Sequence, residues 1–151
     1  MRACLVTDLE PLSVGANVNN KRIYKSKLVD EFNNQGVSFE GVPFSTSLYS
    51  KIIYIHLKKT ALDVDNMSKL LVDAFKGTMY VDDDIINHRV CSKISFYDIN
   101  PRELNITILP KEIFVRFDKY IAKESKHILY YEIGDFSESM VYVGGERNET
   151  R

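Results

Sequence analysis

The chain is predicted to be an α+β protein: a mixed β-sheet, one main amphipathic helix packed on it, and a C-terminal extension. Short runs rich in β-branched and aromatic residues recur along the sequence, as strands require. One segment, 65–76, carries a strong helical repeat of apolar residues. The pattern then changes after Pro110, which suggests a main domain over residues 1–110 and an extension over 111–151.

The elements follow in order. ACLVT (3–7) reads as a short strand. EPLSVGANVNNKR is a loop rich in Ser, Gly and Asn that ends in basic residues. YKSKLVDEFNNQG (24–36) suits a short helix, with Leu28, Val29 and Phe32 on one side and Gly36 as its stop. GVSFEGVPF is a loop, and LYSKIIYIHLKK (48–59) suits a central strand. The helix over 65–76 places Met67, Leu70, Leu71, Ala74 and Phe75 on one stripe. Asp65, Lys69 and Asp73, spaced by four, line the other side. An Asp at the helix start is a good cap, and Gly77 suits the stop. RVCSKISFYDI (89–99) and ELNITILP (103–110) read as two strands around a turn at Asn100–Pro101. In the extension, EIFVRFDKYIAKES (112–125) suits a helix; ILYYEI (128–133) and MVYVGG (140–145) suit a pair of strands around GDFSES.

Composition bounds the function class. A chain of 151 residues with 44% hydrophobic content is expected to form one globular domain. No run of eighteen apolar residues exists, so no transmembrane helix is expected. The apolar segment near the N-terminus is short and broken by Asp8, which does not suit a signal peptide. Cys4 and Cys91 are expected to be reduced thiols of a cytoplasmic protein. The formal charge of −1 does not announce a polyanion partner. Its distribution is uneven: residues 1–60 are basic on balance, and 61–100 are acidic.

That acidity is concentrated in DVDNMSKLLVDAFKGTMYVDDD (63–84). Asp63 and Asp65 stand at the helix entrance, and Asp82, Asp83 and Asp84 follow the helix. Hard divalent cations such as Mg²⁺ take oxygen ligands, and carboxylates cluster where they are held. A helix of about twelve residues spans roughly 18 Å, and eight extended residues can return along it. The second aspartate cluster is therefore expected to meet the first near the helix N-terminus, with Lys69 one turn inside. Such a set serves phosphodiester hydrolysis: a metal to activate water, and an ammonium to neutralise developing charge.

Each residue also has a plain structural reading. Asp65 serves equally as a helix cap, Lys69 as an exposed helix lysine, and the three aspartates as a solvated turn. An EF-hand is excluded, because the loop would need Gly at 68 and Glu at 74, where Ser68 and Ala74 stand. His56 and His88 lack partners at metal-ligand spacing and read as structural or surface residues. No Gly-rich phosphate loop and no Ser or Cys nucleophile in a recognisable setting is found.

The spacing D-x-D-N-x-x-K-x-x-x-D-A-F, followed by Y-V-D-D, an apolar pair and R-V, resembles the central motif of the RusA-like Holliday-junction resolvases. PLSVGAN and the basic KRIYKSK also resemble the family's N-terminal loop and the segment after it. The resemblance covers about residues 1–110. It implies a Mg²⁺-dependent crossover junction endodeoxyribonuclease of DNA recombination and repair. Such an enzyme is a homodimer that nicks two symmetric strands of branched DNA, one per active site. On this basis Asp63, Asp65 and Asp83 match the catalytic, metal-binding carboxylates, and Asp82 is a supporting ligand. Lys69 matches the catalytic lysine, and Asp73 has a structural or supporting role. The choice among Asp82, Asp83 and Asp84 stays open. Lys21, Arg22, Lys25, Lys58, Lys59 and Arg89 are candidate phosphate contacts. Ala61 and Leu62 stand where the family carries basic residues. The rival readings are a non-catalytic DNA-binding or assembly protein of the same fold, and an α+β protein that binds Ca²⁺ structurally.

Overall fold

The computed structural model describes residues 1–98 and 104–144. Its elements are β1 (Ala3–Thr7), α1 (Val18–Gln35), β2 (Val37–Ser38), β3 (Leu48–His56), α2 (Val64–Ala74), β4 (Ile86–Ser95), α3 (Lys111–Ala122) and β5 (His127–Asp135). Three short 3₁₀ turns lie at Asp83–Ile85, Phe96–Asp98 and Glu138–Met140. The strands form one sheet in the order β2-β1-β5-β3-β4. β3 and β4 run parallel, and every other neighbouring pair is antiparallel. The mixed α+β class expected from the sequence is the class observed.

Helices cover both faces of the sheet. α1 and α2 lie on one face, where Leu28, Phe32, Met67, Leu71 and Phe75 meet Leu5, Leu48, Ile52 and Tyr131. α3 lies on the other face, where Ile113 and Phe117 meet Cys4, Val6, Ile55 and Ile128. A strand covered on both faces must be apolar at every position rather than at alternate ones. β1 is buried along its whole length for this reason. β4, by contrast, is an edge strand with no buried residue, and its Asn, Arg and Lys side chains face water.

The extension expected over 111–151 supplies α3 and β5. β5 sits between β1 and β3, so position 110 marks the end of the sequence resemblance and not a break in the sheet.

Several expectations need correction. α1 begins at Val18, six residues early, because Asn17 caps it by accepting a hydrogen bond from the Asn20 amide. Lys21 and Arg22 are therefore helical residues, not loop residues. Residues 104–110 form no strand: Leu104, Ile106 and Leu109 tuck into the α3-side core from a turn. Arg102 and the Asn100–Pro101 turn lie outside the described residues, as does Ile99. Residues 140–144 form no strand either, and Gly145 lies outside the described residues. The reason is that β5 already has a ladder on each side, leaving no free edge for a hairpin partner. The two cysteines are free thiols, Cys4 buried and Cys91 partly so. No helix of the described residues is long and apolar enough to cross a membrane.

Candidate active site

β3, α2 and β4 form a crossover unit, and the parallel pairing decides where the aspartates go. Leu48 pairs with Ile86 at one end of the ladder and His56 with Ser95 at the other. The chain leaves β3 at His56, enters α2 at the same end, and must travel back the full strand length before β4 can start. Asp63 thus stands at the His56 end, and Asp82 to Asp84, just before Ile86, stand at the Leu48 end. The 11 residues of α2 span roughly 16 Å between them. The expected meeting of the two clusters at the helix N-terminus does not occur.

The linker that was expected to return along α2 is instead spent on the core. Phe75, Met79 and Tyr80 are fully buried. Phe75 stacks on Tyr131 at 5.3 Å between ring centroids and meets Phe32 edge-on at 6.0 Å. The Tyr80 hydroxyl donates to the Val72 carbonyl, which also accepts the Phe75 amide at the helix end. Gly77, at φ +78°, makes the turn, and its amide donates to the Tyr80 carbonyl at 2.7 Å. The chain emerges at Asp82 close to where it left α2.

At the N-terminal end of α2, Asp63 and not Asp65 is the cap. One carboxylate oxygen accepts from the Asn66 amide and the other from the Asn66 side chain, both at 2.8 Å. Asp65 is exposed in the first turn, where a negative charge suits the helix dipole. It acts on Cys91 of β4: burial pushes that thiol up to about 11, Arg89 opposes the rise, and Asp65 adds to it. Lys93, further along β4, donates to the Leu62 carbonyl at 2.7 Å and ties the two elements together.

At the other end, Lys76 holds two carboxylates. Its ammonium lies 2.7 Å from Asp82 Oδ1 and 3.5 Å from Asp83 Oδ1. Asp82 Oδ1 also accepts from the Asp83 amide at 2.7 Å, which opens the 3₁₀ turn. The Lys76 ammonium, followed by the contact with Asp83, holds Asp82 down to about 2, and the aspartates raise Lys76 in turn. Sequence reasoning passed over Lys76. Its only signal was a position six residues before Asp82, and the pairing depends on the Gly77 turn.

Between these ends lies a cleft of about 750 Å³, formed where the first turns of α1 face α2. Lys21, Arg22 and Lys25 of α1 line it, with Lys69, Leu70 and Asp73 of α2, and Asp83. Four cations thus face one concavity, and Lys25 and Asp73 form an ion pair across it. Lys69 and Asp83, drawn from the central motif, share this cleft with the three basic residues of α1. Asp63 and Asp65 do not line it. Lys58 and Lys59 are exposed in the loop between β3 and α2, and Arg89 is exposed on β4. His56 Nδ1 donates to the Lys58 carbonyl of its own loop, and His88 packs near Phe136, so both are structural.

Among the described residues, no group of three or more His, Cys, Asp or Glu side chains comes together to hold a metal ion. Asp82 and Asp83 still present two carboxylate oxygens to a single cation, here the Lys76 ammonium. That donor set fits Mg²⁺, which commonly takes one or two carboxylates and completes its shell with water and phosphate.

Residues 42–109 match the family model described as Endodeoxyribonuclease RusA. The match covers a little under half of the chain, and it includes α2, the cleft's Lys69 and Asp83, and all of β4. Over this segment the chain is similar to that family, as the aspartate–lysine motif suggested. No curated protein matches the chain.

Proposed function

We propose that this protein is a Mg²⁺-dependent endodeoxyribonuclease that resolves Holliday junctions or related branched DNA by paired symmetric nicks. The observation that carries the reading is one juxtaposition. The segment that matches an endodeoxyribonuclease family contributes Lys69 and Asp83 to a cleft whose other wall is the basic row Lys21, Arg22 and Lys25.

The roles follow from the chemistry. Lys21, Arg22 and Lys25 hold the phosphate backbone along the α1 wall, with Lys58, Lys59 and Arg89 as outlying contacts. Lys69, on the facing α2 wall, neutralises charge that builds on the attacked phosphoryl group. Asp83, supported by Asp82, would hold Mg²⁺ at the cleft; Asp63 and Asp65, at the other end of α2, are the further carboxylates that the family resemblance assigns to the metal. When bound, Mg²⁺ supplies an activated water and a Lewis acid for the phosphoryl oxygen. Asp73 restrains Lys25 and keeps the cleft's basic wall in place. A homodimer presents two such clefts, as a substrate with two-fold symmetry asks. The work belongs to cytoplasmic recombination and repair.

The separation of Asp63 and Asp65 from Asp83 favours one rival, a non-catalytic protein that binds branched DNA in the same cleft. One assay distinguishes the two. Nicking of a synthetic four-way junction should require Mg²⁺ and vanish in Asp65→Asn, while junction binding persists. Undiminished cleavage by Asp65→Asn sinks the catalytic assignment. Tight binding with no cleavage by the wild type selects the rival.

A further inference from the structure

The Lys76 ammonium sits between the two carboxylates that the proposed function assigns to a divalent cation. It is not placed there by chance flexibility. Phe75 on one side of it and Tyr80 before Asp82 are both buried, and the Gly77 turn closes the gap between them. The backbone therefore presents residue 76 to residues 82 and 83 whether or not a metal is near. Asp82 is further fixed by the Asp83 amide, so the oxygens are pre-arranged around a cation.

We infer that Lys76 is a built-in counter-cation of the metal site, which must leave Asp82 and Asp83 before a divalent cation can take them. The inference rests on the metal dependence proposed above. Two positive charges within about 4 Å repel, and both cannot use the same carboxylate oxygens at full strength. Without a metal, Lys76 relieves the repulsion between neighbouring carboxylates and keeps them in one geometry. With a metal, the ammonium swings out toward solvent, which its half-exposed side chain permits. The lysine thus lowers metal affinity and confines occupancy to conditions where phosphate supplies further ligands.

The test uses the full-length protein without DNA and Mn²⁺ as the probe, with free Mn²⁺ read by electron paramagnetic resonance. Lys76→Gln should bind Mn²⁺ about two- to fivefold more tightly, the scale set by an exposed ion pair. Lys76→Arg, which keeps the cation, should stay near wild type. In the wild type, the Lys76 side-chain nitrogen resonance should shift as Mg²⁺ is added. Unchanged affinity in Lys76→Gln, or a stationary Lys76 resonance at saturating Mg²⁺, overturns the inference alone, provided Asp83→Asn still loses binding. If the wild type binds no Mn²⁺ at any concentration tested, the metal reading of the cleft falls together with it.

Discussion

The two ends of α2 carry aspartates from one short motif and treat them in opposite ways. At the N-terminal end the helix itself satisfies the charge. Asp63 takes both of its hydrogen bonds from Asn66, and Asp65 lies in the positive field of the first turn. At the C-terminal end the helix repels anions, since its free carbonyls point that way. Asp82 and Asp83 need an outside cation there, and Lys76 provides it. The same residue type is therefore a structural cap at one end and the anionic half of an ion pair at the other.

Four measurements break or sharpen this contrast. The largest effect is expected from Phe75→Ala. It removes the ring that joins Phe32 and Tyr131 and should cost about 3–5 kcal/mol in chemical denaturation. The loss would also release the linker that brings Asp82 back to Lys76. A small cost would mean that the linker is not what fixes the C-terminal end. Next, Asp83→Asn should slow junction cleavage by about 10²-fold or more, with the melting temperature unchanged. A rate close to wild type would remove the C-terminal end from the chemistry. Third, Asp63→Ala should cost about 1 kcal/mol of stability through the lost cap. A neutral result would mean that the N-terminal carboxylate is not consumed by capping.

The smallest effect concerns pH. Asp82 in the folded protein sits near 2, below the ordinary 3.8. Its contact with Lys76 therefore stabilises the fold above about pH 4 and is lost as pH falls through about 2. Carboxyl resonances followed by NMR should place Asp82 there, and Lys76→Gln should move it back toward 3.8. No movement would assign the shift to the backbone instead of to the lysine.

Much of this was legible in the chain. The apolar stripe Met67–Leu70–Leu71–Ala74 gave α2 directly, because a helical repeat needs no knowledge of its neighbours. The apolar runs at 3–7, 48–56 and 128–133 gave their strands for a similar reason. The strand readings at 103–110 and 140–145 went wrong because alternation encodes a face and not a partner. Leu104 and Ile106 found a core without a ladder, and β5 had no free side to offer. The start of α1 was hidden by the polar run Val18–Arg22, although Asn17 was a readable cap. For the site, residue types were legible and distances were not. Asp63 and Asp83 meet or part according to whether β4 runs parallel or antiparallel to β3, and nothing local in the sequence decides that.

The position of β5 also sets a timetable. Ala3 pairs with Ile133, and Ser50 pairs with the same residue from the other side. During synthesis, β1 and β3 leave the ribosome early with no neighbour between them. The sheet closes only after Asp135 has emerged. Until then β3, the strand that leads into α2, waits with one edge open, and pairings this distant along the chain fold slowly. A chain halted near residue 110 would carry the whole family-matched segment and still lack the strand at the centre of its sheet.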